Sequence, residues 1–185
     1  MEIDARNSKA TIISVFGSSH AAEEGDAYVL ARELGGELAR AGFVVASGGY
    51  GGAMEAVSRG AAEAGGRAIG VVAAAISTKS NPWVHEAVVV PRWEDRLLQL
   101  ISLGDGYVAL PGGTGTLVEL AVAWEMMHKR VMPPRPLVTL GDFWRPVIAQ
   151  IEAADINSRG LVRMAGSVSA AVNELRASLS QSRRN

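Results

Sequence analysis

The segment ALPGGTGTLVEL, residues 109–120, joins two different hydrophobic patterns and decides the fold class. Residues 106–110 form a short apolar run typical of a buried strand, and residues 116–129 carry apolar side chains at helical spacing. A strand that passes through a short turn into a helix is the building unit of parallel α/β sheets. The segment therefore predicts a βα unit with a glycine-rich turn at the carboxyl end of its strand.

The same alternation of strand and helix patterns continues along the chain. Expected strands cover residues 11–16, 43–46, 68–73, 87–90, 106–110 and 136–140, and expected helices cover 23–41, 53–64, 93–103, 116–129, 143–153 and 167–179. Apolar strands alternating with helices predict a mainly parallel, doubly wound α/β sheet with helices on both faces. Ligands bind such sheets at the carboxyl ends of the strands.

Length and composition are those of an ordinary globular protein. The 185 residues suit a single domain over 1–185, with polar tails at 1–10 and 181–185 that we expect to be flexible. The net charge of -1 and the lack of a long apolar run favour neither a nucleic-acid nor a membrane partner. Cysteine is absent, and the N-terminus lacks the apolar core of a signal peptide, so we expect a cytoplasmic protein.

The turn within the opening segment is suited to binding a phosphate. A glycine-rich turn that opens a helix presents free backbone N–H groups and the positive end of the helix dipole. Gly112, Gly113 and Gly115 let the backbone approach a ligand closely, and Thr114 and Thr116 add hydroxyl donors. A tight turn with a threonine cap is the alternative interpretation.

Two further turns fall at the same edge of the predicted sheet. Residues 47–54 read SGGYGGAM, and their glycines Gly48, Gly49 and Gly52 serve either a ligand or close helix–strand packing. Gly17 and Ser18 follow the first strand, and Ser18 is expected to touch the ligand or cap the next segment. The GxGxxG dinucleotide fingerprint and the Walker GxxxxGK[ST] pattern are both missing, which disfavours a dehydrogenase and points to a nucleotide or sugar phosphate bound in another way.

Glu119 and Arg96 are the candidate catalytic residues. Glu119 lies about one turn into the helix that the glycine turn opens, where the dipole stabilises an anion, and a carboxylate there could stabilise an oxocarbenium ion or activate water. Arg96 is interpreted either as part of a solvated helix face or as a clamp for a phosphate or base.

With these residues in place, the chain resembles the LOG-type family, named for cytokinin riboside 5′-monophosphate phosphoribohydrolase and often mislabelled lysine decarboxylase. The similarity covers roughly residues 11–140. Two family patterns carry it together with the upstream Arg96: PGGxGTxxE as Pro111, Gly112, Gly113, Thr114, Gly115, Thr116 and Glu119, and GGxxGxM as Gly48, Gly49, Gly52 and Met54.

The resemblance implies a Rossmann-like homodimer that binds a nucleoside monophosphate and hydrolyses its N-glycosidic bond to a free base and ribose 5-phosphate. It places the phosphate on residues 113–116, makes Arg96 and Glu119 the catalytic pair, and requires no cofactor. Because the family includes a molybdenum-cofactor carrier, a non-catalytic carrier of a phosphorylated ligand is the alternative. Leu97 and Val118 replace the basic and acidic residues of the plant-type enzymes, so cytokinin specificity does not follow.

Other reactive side chains are expected to be structural. His20, His85 and His128 share no metal-ligand spacing, so no metal site is predicted, although His20 follows the first strand. A pyridoxal-phosphate decarboxylase needs a Schiff-base lysine, and the three lysines, Lys9, Lys79 and Lys129, lie in a tail, a polar loop and a helix end. Surface packing is expected for Trp83, and core or dimer packing for Trp124, Met126 and Met127.

Overall fold

The computed structural model describes residues 10–182. Apart from residues 10, 181 and 182, the tails predicted to be flexible lie outside the described residues. The strands are β1 Ile12–Phe16, β2 Val44–Ser47, β3 Ala68–Ala73, β4 Glu86–Val90, β5 Gly106–Ala109, β6 Leu137–Leu140 and β7 Val162–Ala165. The helices are α1 Asp26–Arg40, α2 Ala53–Glu63, α3 Trp93–Leu103, α4 Thr114–His128, α5 Arg145–Ala154 and α6 Val168–Ser182, with a short 3-10 helix at Ile156–Ser158.

The strands form one seven-stranded sheet in the order β4-β3-β2-β1-β5-β6-β7. Every pair of neighbours is parallel; β1, for example, pairs Ile13 with Val45 on one side and Val15 with Val108 on the other. The chain builds outward from β1 in one direction and then returns to its other side with β5. The doubly wound, Rossmann-like α/β fold is thus confirmed, and its switch point lies between β1 and β5.

Successive strand residues point to opposite faces of the sheet, and each face has its own hydrophobic core. Ile13 and Val15 pack with buried residues of α1, α2 and α6. Phe16 joins the core built with α3, α4 and α5 on the other face, where Ser14 donates a hydrogen bond to the Leu100 carbonyl at 2.8 Å. Because both faces are covered, the strands read as continuous apolar runs in the sequence.

Helices α1 and α2 touch backbone to backbone. A Cβ added at Gly35 would lie 2.1 Å from the Val57 carbonyl oxygen, and one at Gly60 would lie 1.9 Å from the Arg32 carbonyl oxygen. These glycines are therefore required by the helix crossing, although glycine lowers the stability of a helix interior. The contact fixes α2, and with it the turn that precedes Ala53.

Two features differ from the sequence-based expectation. Strand β7, Val162–Ala165, was not predicted, because its middle residues are exposed and its pattern is too short to stand out. Helix α4 begins at Thr114 and not at residue 116, with Gly113 as its N-cap. Glu119 is consequently the sixth residue of the helix and lies beyond its first turn.

Within the described residues, none of the helices has both the length and the apolar character needed to cross a membrane.

Candidate functional site

A cavity of about 460 Å³ opens at the carboxyl ends of the strands, around the switch point between β1 and β5. The β1–α1 loop, the β2–α2 loop with the start of α2, the segment after β3, the first turn of α3 and the first two turns of α4 all contribute to its lining. Those residues are Gly17, Ser18, Ser19, His20, Tyr50, Met54, Ile76, Trp93, Arg96, Gly113, Thr114, Gly115, Thr116 and Glu119. The cavity therefore lies where ligands bind doubly wound sheets.

The N-terminus of α4 forms the anion-binding side of this cavity. Its N-cap, Gly113, has no side chain to accept from the first-turn N–H groups, and no side-chain cap bond is formed. Thr114 and Gly115, which we expected in the turn, lie in the first helical turn and are exposed to the cavity. Unfilled N–H groups at a helix N-terminus, with the dipole behind them, attract a phosphate.

Thr116 adds a buried hydroxyl to the same side of the cavity. Thr116 is 2% exposed. Among the described side chains, its Oγ1 is the buried atom that has no hydrogen-bond partner. Gly112 packs against it, since a Cβ at Gly112 would lie 2.2 Å from Thr116 Oγ1. A buried hydroxyl without a partner is unfavourable, so this atom is suited to bind an oxygen of a ligand.

Arg96 lies on the buried face of α3 and not on a solvated one. It is 6% exposed, and its Nε donates to the Val71 carbonyl at 2.9 Å. Its guanidinium also lies 3.4 Å from Met54 Sδ and 5.3 Å from the centre of the Tyr50 ring. The solvated-face interpretation of Arg96 is therefore wrong, and the side chain is held rigidly between β3 and the β2–α2 loop.

Arg96 and Glu119 form an ion pair in the lining of the cavity. The two side chains are 8% and 11% exposed, and Arg96 Nη1 lies 3.6 Å from Glu119 Oε1. Burial raises the pKa of Glu119 to about 7, and the nearby Arg96 charge opposes this only in part. The predicted stabilisation of the Glu119 anion by the helix dipole is wrong, because Glu119 is buried beyond the first turn, where desolvation dominates.

The glycines of the β2–α2 loop contact protein groups and do not line the cavity. A Cβ at Gly48 would lie 1.6 Å from Arg96 Nη2, so this glycine makes room for the arginine. Gly49 and Gly52 have positive φ angles of 76° and 67°. A Cβ at Gly52 would also collide with the Ser18 carbonyl oxygen at 2.5 Å. Of the four residues that match GGxxGxM, Met54 is the one that lines the cavity.

The β1–α1 loop reaches the cavity because it packs on the start of α2. The Ala53 N–H donates to the Ser18 carbonyl at 2.8 Å, and Ser18 Oγ accepts from the His20 N–H at 3.1 Å. Gly17 sits against Ala53, where a Cβ would come within 2.8 Å of the alanine side chain. Gly17, Ser18 and His20 are thereby placed together at the edge of the cavity.

Three other lining residues are not marked by any motif in the sequence. Tyr50, Ile76 and Trp93 come from three separate segments, after β2, after β3 and at the start of α3. Tyr50 and Ile76 lie just past predicted strands, and Trp93 lies one turn before Arg96. These positions are the one signal in the sequence that could mark them as neighbours of the site.

The remaining candidates lie outside this cavity. His85 Nδ1 accepts from the Ala68 N–H at 3.2 Å, and His128 lies between Glu125 and Asp155. Trp83 packs under the guanidinium of Arg59, while Trp124 and Met127 are buried in the core with Met126 packed against them. Lys79 and Lys129 do not line the cavity, and Lys9 lies outside the described residues. Residues 10–182 contain no cluster of three His, Asp or Glu that could hold a metal ion.

Comparison with known proteins identifies the family. The family model described as "SLOG cluster4 family" matches residues 10–153. A cytokinin riboside 5′-monophosphate phosphoribohydrolase of Rhodococcoides fascians is 31% identical over 133 residues, covering 69% of this chain and 67% of its own length. The enzyme of that name from Oryza sativa subsp. japonica is 30% identical over 156 residues, covering 80% of this chain and 63% of its own.

Among solved structures, the Moco carrier protein from Chlamydomonas reinhardtii superimposes with a TM-score of 0.76 and 27% identity, covering 94% of this chain and 99% of the carrier. The chain belongs to the SLOG cluster4 family, and its predicted membership among LOG-type proteins is confirmed.

Proposed function

We propose that this protein hydrolyses the N-glycosidic bond of a nucleoside 5′-monophosphate and releases the free base and ribose 5-phosphate. The observation that carries the proposal is the buried Arg96–Glu119 pair in the same cavity as the open N-terminus of α4. A phosphate-binding group and a carboxylate with a pKa of about 7 are thus available to one ligand. The names of the relatives support the same reaction.

In the proposed complex, the phosphate is bound by backbone N–H groups of residues 113–116 and by the Thr116 hydroxyl. Arg96, fixed by Val71 and Gly48 carbonyls, keeps the Glu119 carboxylate in place and neutralises part of its charge. The rigid backbone of α4 holds the phosphate and Glu119 at a constant separation. Such preorganisation is the main contribution a protein makes to positioning a scissile bond.

The chemistry follows from the state of Glu119. Its carboxylate form stabilises the positive charge that develops on the ribose and takes a proton from water as the water oxygen bonds to C1′. The C1′–N bond breaks, its electron pair leaves with the base, and the base takes up a proton. A pKa near the working pH suits a group that must both accept and release a proton. The proposed reaction requires neither a metal nor a redox cofactor.

The decisive experiment incubates the purified protein with AMP and with an N6-substituted AMP and measures free base by chromatography. We expect the wild type to release base and Glu119→Gln to lose turnover by at least ~100-fold while still binding phosphate. Unchanged turnover in Glu119→Gln would overturn the mechanism.

A second candidate function is a carrier of a phosphorylated ligand, with molybdenum cofactor as the cargo. It is favoured by the likeness to the Moco carrier protein, which covers nearly the whole of both chains. The carrier function predicts tight binding without product release. Bound ligand that survives purification, together with no base from any nucleotide tested, would favour it over hydrolysis.

We further propose a cytoplasmic homodimer with no nucleic-acid or membrane partner. Helix α4 is apolar on most of its circumference, and its outer face leaves Leu117 and Ala121 exposed. Helices that are apolar all round are normally buried, so a second copy of this chain is the expected cover. Light scattering should show a dimer for the wild type and a smaller species for Ala121→Glu.

A further inference from the structure

Three large side chains that the proposed reaction does not use form one side of the cavity. They are Tyr50, Ile76 and Trp93, called here the apolar wall. Ile76 is 58% exposed and Trp93 is 43% exposed, although both are large and hydrophobic. Exposed apolar side chains that share a ligand cavity indicate contact with an apolar part of the ligand.

The apolar wall is held in place by the backbone of its own segments. The Tyr50 hydroxyl accepts from the Ala73 N–H at 2.9 Å and donates to the Ser77 carbonyl at 3.0 Å. The turn that carries Ile76 is also tied to the segment before α3, because the Ala75 N–H donates to the Pro91 carbonyl at 3.1 Å. Tyr50 and the turn that carries Ile76 are therefore preformed, which lowers the entropic cost of binding.

Strand order separates the Ile76 part of the wall from the phosphate side. The α4 N-terminus follows β5, whereas Ile76 follows β3; Trp93 begins α3, one turn before Arg96. In the order β4-β3-β2-β1-β5, three strand spacings separate β5 from β3, or about 14 Å at ~4.8 Å each. Arg96 bridges this gap, since it bonds to the Val71 carbonyl of β3 and faces Glu119 of α4. A nucleotide with its phosphate on α4 and its glycosidic bond at Glu119 thus extends its base toward the wall.

We propose that Trp93 is a specificity residue that stacks on the base, and that the site selects large planar bases by shape and not by their hydrogen-bonding edges. This inference rests on the proposed function. On the apolar wall, the Tyr50 hydroxyl is already engaged, and the large hydrophobic side chains of Ile76 and Trp93 are 58% and 43% exposed. Every base has a π-face, so stacking does not distinguish bases of similar size. Discrimination between them requires polar groups that form hydrogen bonds with the base edges. Purine nucleotides are therefore preferred, and adenine and guanine are treated alike.

The test measures binding calorimetrically in a Glu119→Gln background, where the nucleotide persists. The probes are AMP, GMP, CMP and ribose 5-phosphate. We expect AMP and GMP to bind within about tenfold of each other and both more tightly than CMP. Trp93→Ala should weaken both purine nucleotides about tenfold or more, Trp93→Phe should restore most of the affinity, and ribose 5-phosphate should change less than about twofold.

Leu98→Ala is the matched control, because Leu98 lies on the same helix, is 51% exposed and does not line the cavity. Unchanged purine affinity in Trp93→Ala, or an equal loss for ribose 5-phosphate, would overturn the stacking role. A preference of more than ~10-fold between AMP and GMP would overturn recognition by shape. If AMP binding depends on Trp93 but the wild type releases no base, this inference stands and the proposed hydrolysis fails.

Discussion

Glu119 should make the stability of the folded protein depend on pH. Burial raises its pKa from 4.5 to about 7. The folded state therefore keeps a proton that the unfolded chain has already released between these values, and the free energy of unfolding falls as the pH rises through this range. A tenfold change in proton affinity is worth about 1.4 kcal/mol, so ionising Glu119 in the folded protein costs about 3 kcal/mol. Linkage assigns about 2.5 kcal/mol of this to the interval from about pH 5 to about pH 8.

The perturbation that isolates this effect is Glu119→Gln, which is neutral at every pH. At about pH 5 the folded wild type also carries a neutral side chain, so the two proteins are then matched in charge at this site. Urea denaturation followed by circular dichroism gives the free energy of unfolding of each protein across the range. Since all other ionisable groups are common to both, their contributions cancel in the difference.

We expect the wild type to lose about 2.5 kcal/mol relative to Glu119→Gln between about pH 5 and about pH 8. Parallel profiles, agreeing within ~0.5 kcal/mol over the whole range, would contradict this prediction. They would mean that the Arg96 charge at 3.6 Å fully offsets the desolvation of Glu119 and that its pKa is not raised.

Three further predictions concern glycines and the buried hydroxyl. Gly48→Ala places a Cβ 1.6 Å from Arg96 Nη2, so the rate of base release should fall sharply. Urea denaturation should show that the free energy of unfolding falls by about 1–3 kcal/mol. Unchanged kinetics would contradict the proposed role of this glycine. Gly35→Ala should destabilise the protein by about 3 kcal/mol, because its Cβ meets a backbone oxygen at 2.1 Å. The Cβ of Gly36→Ala lies 3.3 Å from the flexible Arg40 side chain and at an ordinary contact distance of 3.5 Å from the Gly60 carbonyl oxygen, so this control should stay within ~1 kcal/mol of wild type. Equal losses would argue against the close helix contact. Thr116→Val should leave the free energy of unfolding within ~0.5 kcal/mol of wild type but weaken AMP binding, measured by calorimetry, about tenfold. Unaltered affinity would show that this hydroxyl does not contact the ligand.

Local chemistry was sufficient to predict most of the architecture. Strand β3 and helix α3 have the predicted bounds, and the other elements expected in the sequence agree within a few residues at each end. Buried parallel strands read as apolar runs whatever their neighbours, so their existence does not depend on tertiary detail. Strand β7 was missed for the opposite reason: its exposed middle residues have no strong pattern, and pairing with β6 alone makes it a strand.

The βα order, the glycine turns and the candidate residues Arg96 and Glu119 can be read from the chain alone, because motifs and hydrophobic periods are local properties. The effects of these residues on one another follow from the folded arrangement. In the fold, Arg96 is buried against α2 and β3, and Gly48 leaves room for its side chain. Glu119 is removed from water, so its pKa rises. The fold also joins Tyr50, Ile76 and Trp93 into one wall. The desolvation of Glu119 and the convergence of the three wall side chains depend on distances between segments far apart in the chain. No local pattern in the sequence encodes those distances.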